Sequence, residues 1–270
     1  MLSVVLIFVA SRLLFLSPTN ELAWRPQHEK MPYAEFDSNL VHIKNIRNFS
    51  YGPGDEFIPA YYDQTYDLDK IESLWFCVAP FAPGWRGPAH TFASFGFADS
   101  QYLSVSVEAR KEPDEDYSIV MGMLNKFELL YVIGDERDII GSRAVYSDDD
   151  VFLYPIKATK QKIKSFFVDA LNRANKLRDE PEFYNTLTSN CTTNIFDHAK
   201  KINPEKWPFS WHYLLPGYAD ELLYDKGVLA TELSLEEARI NFKINDRARA
   251  YIDSEEFSAS IRDVSKIAIK

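Results

Sequence analysis

Two adjacent runs, Thr91–Phe97 and Gln101–Ala109, constrain the fold more than any other part of the chain. The residues between them, Ala98-Asp99-Ser100, suit a three-residue hairpin loop. If Phe97 pairs with Gln101, one face of the hairpin carries Thr91, Ala93 and Phe95 opposite Val107, Val105 and Leu103. That face is apolar and belongs to a core. The other face carries His90, Phe92 and Ser94 opposite Glu108, Ser106 and Ser104. A loop one residue shorter shifts the pairing by one and spoils the apolar match. The pattern therefore predicts the register that sets His90 across from Glu108.

The remaining elements follow from periodicity. Leu40-Val41-His42-Ile43 reads as a short strand, and Leu74–Pro80 as a strand buried on both faces. Lys126–Ile133 and Val151–Ile156 are further strands, while Tyr61–Ile71 and Phe81–Pro88 read as loops. Ile163, Phe166, Phe167, Ala170, Leu171, Ala174 and Leu177 recur at helical spacing and stop before Pro181. Ser189 or Asn190 is a good N-cap for a helix over Thr192–Lys201, which puts Cys191 in its first turn. Trp207–Tyr218 is an aromatic, proline-bearing packed loop, and Leu233 onward reads as polar helix. The expected fold class is α+β, an antiparallel sheet packed against helices. The expected organisation is an anchor over 1–17, a linker over 18–39, a main domain over 40–220 and a helical extension over 221–270.

Composition narrows the function. Hydrophobic residues make up 46% of 270, enough for a sizeable core. The formal net charge of −10 argues against nucleic acid as a partner, because phosphate binding needs a basic face. No His, Cys, Asp or Glu spacing resembles a metal site, and no cofactor motif is present. Leu2–Leu16 is apolar apart from Ser3, Ser11 and Arg12. As a helix it spans roughly 22 Å, short of the ~30 Å hydrocarbon core. It reads as the remnant of a membrane anchor or an uncleaved signal-anchor; the alternative is an amphipathic helix that packs on the domain.

Of the two cysteines, Cys77 lies in the apolar run Leu74–Ala79 and reads as a small buried hydrophobe. Cys191 lies in a polar loop at a helix start, where the macrodipole favours a thiolate and free N–H groups suit an oxyanion. His90 supplies a base, and Glu108 or a neighbouring serine supplies a group to orient it. The competing readings are a structural cysteine at Cys191 and a satisfied histidine at His90. His198 shares the helix face of Cys191, but two turns is about 10 Å, too far for a direct bond. Glu136-Arg137-Asp138 is either a salt-bridged turn or part of a site.

The strings Ala89–Phe97, Ser104–Arg110, Glu128–Tyr131, Asp135–Asp138 and Phe183–Thr193 together resemble the Lnb N-terminal periplasmic domain family, over about Trp24–Tyr218. The resemblance implies a circularly permuted papain-like, NlpC-type fold in which the histidine strand precedes the cysteine helix, as His90 precedes Cys191 here. It implies an acyltransferase at the bacterial inner membrane, facing the periplasm, that acts on membrane lipid or lipoprotein through a cysteine thioester. Cys191 would take the acyl group, His90 would act as base and then acid, and Glu108 or Ser106 would orient His90. Ser104, Arg110, Asn190, Tyr184 and Glu136 are the supporting positions that the matching strings carry. The family's acyltransferase is expected to have membrane helices after this domain; the sequence through Lys270 holds no such apolar span, which shifts weight from lipoprotein N-acylation to cysteine acyl transfer in general. The alternatives are an envelope cysteine amidase or peptidase acting on cell-wall peptides, and a non-catalytic binding module.

Overall fold

The computed structural model describes residues 16–263, apart from positions 53, 55, 148, 205, 206, 208 and 209. An eight-stranded sheet is its frame. Its strands are β1 (Tyr33–Asp37), β2 (Leu40–Arg47), β5 (Tyr61–Asp67), β6 (Ile71–Ala82), β7 (Trp85–Phe97), β8 (Tyr102–Arg110), β9 (Glu128–Gly134) and β10 (Phe152–Pro155). The short pair β3 (Ser50–Tyr51) and β4 (Phe57–Ile58) stands apart. The order is β1-β2-β9-β8-β7-β6-β10, with β5 also on β2. Every pairing is antiparallel except the single parallel contact of Arg47 with Gly134. The chain is α+β, with a mostly antiparallel sheet packed against helices.

The β7–β8 hairpin has the expected register: Phe92 pairs with Ser106, Ala93 with Val105 and Ser94 with Ser104. Its loop works because Asp99 and Ser100 both adopt positive φ, 65° and 58°, a conformation that short polar residues tolerate better than branched ones. Two stretches read as loops are strands instead. Tyr61–Asp67 is β5, whose alternating burial is masked in the sequence by tyrosines that are only half covered. The turn-rich run 81–88 is mostly strand, because β6 and β7 continue past the core to Ala82 and from Trp85. β1 lies within the stretch read as a linker, and Asn175 holds Ala34 by both its N–H and its carbonyl.

Helices cover one face of the sheet. Helix Lys160–Asp179 buries all seven predicted stripe residues against it, and helix Cys191–Ile202 packs beside it. The opposite face, which carries His90, Phe92 and Ser94, is covered too. There Cys77, Phe92 and Leu130 pack against Ile139, Ile140, Ile244, Ala248 and Phe257. A polar seal closes this second layer: Arg262 pairs with the fully buried Glu136 at 2.5 Å, and Ser94 donates to the same carboxylate. Ile244, Ala248, Phe257 and Ile261, from the C-terminal part of the described chain, therefore belong to the core on this face of the hairpin. No described helix is long and apolar enough to cross a membrane. The anchor expected over 1–17 falls almost entirely outside the described residues.

Candidate active site

The Cys191 helix starts where it does because Asn190 and Thr193 cap it reciprocally. The Asn190 side chain accepts from the Thr193 N–H at 2.8 Å, and Thr193 Oγ1 accepts from the Asn190 N–H at 2.8 Å. The Asn190 amide nitrogen also donates to the carbonyls of Thr186 and Tyr213, at 2.8 and 3.1 Å. One side chain thus ties the helix start to two loops. Replacing Asn190 by alanine is expected to cost about 2–3 kcal/mol in urea unfolding, about 1 for the cap and about 1 for each buried bond, less some repair by water. Cys191 is the first helical residue, buried to 4% exposure, and its own N–H has no acceptor within the helix.

The β7–β8 ladder ends at Phe92–Ser106, although both strands run on. The segments beyond it, Pro88–His90 and Val107–Ala109, line a cleft of about 640 Å³. His90 and Cys191 both face this cleft. His90 Nε2 lies 2.7 Å from Ser106 Oγ and 3.1 Å from Glu108 Oε1, while Ser106 Oγ donates to Glu108 at 2.7 Å. The serine has one proton and gives it to the carboxylate. Hence Nε2 must carry the proton it shares with Ser106 and Glu108, which leaves Nδ1 as the ring nitrogen free to act as a base. The hydrogen-bond pattern, rather than a visible hydrogen, assigns this tautomer.

The electrostatics favour the thiolate of Cys191. Burial pushes the Cys191 thiol up, but the neighbouring His90, the Thr91 N–H and the Thr192 hydroxyl outweigh this and bring it down to about 7. Burial and the Arg143 charge push His90 down; the Glu108 charge and the bonds to Cys191 and Glu108 more than reverse this, and its value is raised. Burial raises Glu108, but His90 and then Arg143 hold it well below the usual carboxylate range. The signs define a window. The thiolate is favoured above about pH 7 and lost as pH falls through that value. The imidazolium is lost as pH rises through the raised value of His90. Cys77 is the contrast: burial pushes it well above its ordinary value, and it is inert.

Of the other predicted residues, Ser106, Asn190 and Tyr184 reach the site. Tyr184 is buried, lines the cleft, and has its hydroxyl raised by burial and by the neighbouring Cys191. Three do not. Ser104 Oγ is buried without a hydrogen-bond partner among the described residues. Glu136 is committed to Arg262 and Ser94. Arg110 turns away, donating to the carbonyls of His28 and Glu29 and stacking on Trp24. His198 is held by Asp169 at 2.6 Å and Tyr131 at 2.8 Å, in the packing between helices. Sequence reasoning missed Arg143, whose Nη2 is 3.8 Å from Glu108, and the Thr91–Thr192 hydroxyl contact at 2.9 Å that joins β7 to the cysteine helix. Only the alternation that turns Thr91 toward the helical face hinted at the second.

Glu108→Gln keeps the shape and the bond from Ser106 but removes the charge that sustains His90. The expected result is a thiol value displaced upward, read as about tenfold slower iodoacetamide modification of Cys191 at neutral pH.

The sequence model for the Lnb N-terminal periplasmic domain matches residues 58–217, more than half of the chain. The chain belongs to this family. The match spans His90, Ser106, Glu108, Tyr184 and Cys191, and a periplasmic domain places the site on the periplasmic side of the envelope. No curated protein and no solved structure matches the chain.

Proposed function

We propose that this member of the Lnb N-terminal periplasmic domain family is a thiol acyltransferase. It moves an acyl chain from a membrane lipid ester to an acceptor amine, as in a lipoprotein, through a thioester on Cys191. The observation that carries the reading is the cleft itself. Its walls are apolar, with Phe81, Val107, Ile119, Met123, Leu187 and Leu215, and they lead to one thiol lowered to about 7 beside one oriented imidazole. An acyl chain suits those walls better than a cell-wall peptide does. The order of histidine strand before cysteine helix supports a permuted papain-like arrangement.

The chemistry follows in two balanced steps. The Cys191 thiolate attacks the ester carbonyl carbon, and a C–S bond forms. Negative charge builds on the carbonyl oxygen, where the N–H groups of the first helical turn and the Tyr184 hydroxyl are the available donors. The C–O bond then breaks, and the leaving alkoxide takes the proton of the His90 imidazolium. In the second step His90 accepts a proton from the incoming amine. The amine nitrogen attacks the thioester, the C–S bond breaks and the thiolate returns. Glu108 and Ser106 keep the ring in one orientation throughout.

Incubation with a phospholipid carrying a labelled acyl chain tests the proposal. The expected product is a hydroxylamine-labile label on Cys191. Labelling that persists unchanged in Cys191→Ser defeats it. Turnover of cell-wall peptide without turnover of lipid would assign the site to an amidase instead.

A further inference from the structure

The apolar lining of the cleft is continued by apolar side chains outside it. The β6–β7 hairpin tip contributes Phe81 and Trp85, and Trp85 is 56% exposed. The short helix Ile119–Met123 contributes Val120, 63% exposed, and Met121. Leu187 and Leu214 add to them from two loops. Phe81, Leu187 and Leu214 also line the cleft, so its apolar interior continues without a break onto this outer surface. Exposed apolar surface on this scale marks a contact with something apolar.

The short helix is held rigidly in place. A Cβ added at Gly122 would sit 2.2 Å from Thr186 Oγ1, so only glycine permits so close an approach. Thr186 Oγ1 in turn donates to the Ile119 carbonyl at 3.1 Å. With its inner side fixed, the helix presents Val120 and Met121 outward. The opposite wall closes by the same device: a Cβ at Gly217 would fall 1.4 Å from the Arg86 carbonyl oxygen, so the turn that follows Leu214 and Leu215 can lie directly on β7.

Two observations select the occupant. First, an early stretch of the described chain runs close to this lip. The Thr19 N–H meets Glu128, the Arg25 N–H donates to the Lys111 carbonyl at 3.0 Å, and the Arg25 guanidinium donates to the Glu115 carbonyl. Residues 111–118 lead straight into the lip helix, so the contacts of Arg25 bring the early chain close to the lip. Second, the connection into the helix is acidic, with Glu112, Asp114, Glu115 and Asp116, in a chain of net charge −10. Such a connection offers little attraction to anionic headgroups, so docking here would rest on apolar insertion.

We propose that the apolar surface formed by the hairpin tip 81–85, the helix Ile119–Met123 and the loops at Leu187 and Leu214 docks onto a lipid bilayer, setting the cleft mouth at the acyl-chain level. An ester-linked chain then passes into the cleft without crossing water. The choice of lipid as occupant rests on the acyl-transfer reading; the docking itself is measured without catalysis.

The test uses the full chain with Val120→Cys in a Cys191→Ser background, labelled with an environment-sensitive fluorophore. Cys77 is fully buried and does not compete for label. With phosphatidylcholine vesicles the emission should shift to the blue and be quenched by lipids brominated on their acyl chains, with no gain on adding phosphatidylglycerol. Emission that stays water-like while the protein floats with vesicles overturns the proposal, because the amino-terminal run alone would then hold it. A blue shift without vesicles also overturns it: one that grows with protein concentration identifies a second copy, and one independent of concentration identifies the chain's own residues 1–15. In the active protein, Val120→Asp with Met121→Asp should lower turnover of vesicle lipid by about tenfold and leave a water-soluble short-chain thioester unaffected. Equal loss on both substrates overturns the docking role. If neither substrate is turned over by the unsubstituted chain, the acyl-transfer reading fails and the fluorophore still decides docking.

Discussion

Replacing Cys191 with serine is expected to slow acyl transfer by about 10⁴-fold, with the melting temperature moving by no more than a few degrees. The size of the loss follows from ionisation. The thiol is brought to about 7, so a large fraction is nucleophilic at neutral pH. A serine hydroxyl at the same place has no comparable ionised fraction, and a His90 positioned for the larger sulfur reaches it poorly. The fold should survive because Cys191 contributes little packing volume, and the Asn190–Thr193 capping box does not involve its side chain. A loss of activity with intact melting assigns the effect to chemistry. A variant that keeps more than about a tenth of the rate is incompatible with Cys191 as nucleophile.

His90→Ala should be nearly as severe, about 10³-fold in single-turnover acylation, for two separable reasons. The variant loses the proton carrier for the leaving alkoxide. It also loses the neighbouring His90 charge that counters burial at Cys191. With burial unopposed, the thiol moves back up to or beyond its ordinary value, so raising the pH should restore part of the lost rate. Glu108 is left without its closest cationic partner, while Arg143 at 3.8 Å keeps it ionised. Loss without any recovery at alkaline pH would mean that the histidine shapes the cleft rather than activating the thiol.

The part of the site made by local pattern was legible in the sequence. Period-two alternation fixed the β7–β8 register, because only one loop length keeps Ala93, Phe95, Val105 and Leu103 on one face. Cap chemistry at Asn190 located the helix start and with it Cys191. What the pattern could not carry was everything set by distant chain. The face of His90 and Ser94 is mostly polar in the sequence, and nothing in its alternation shows that Arg262 closes it from far along the chain. Arg143 sits in a short helix with no periodic signal and reaches Glu108 only through the fold. Arg110 and Glu136 belonged to matching strings, but each is consumed by a structural network, Arg110 with residues 20–31 and Glu136 with Arg262. Nor does register show that the ladder stops at Phe92–Ser106, which opens the cleft between strands that alternation alone would keep paired.

The central claim is that His90 makes Cys191 a thiolate at neutral pH. The rate of iodoacetamide modification of Cys191 against pH measures this directly, with the site of attachment read by peptide mass. A half-maximal rate near pH 7 is the predicted result. A rate that climbs only toward pH 9, as for an ordinary thiol, would contradict the account.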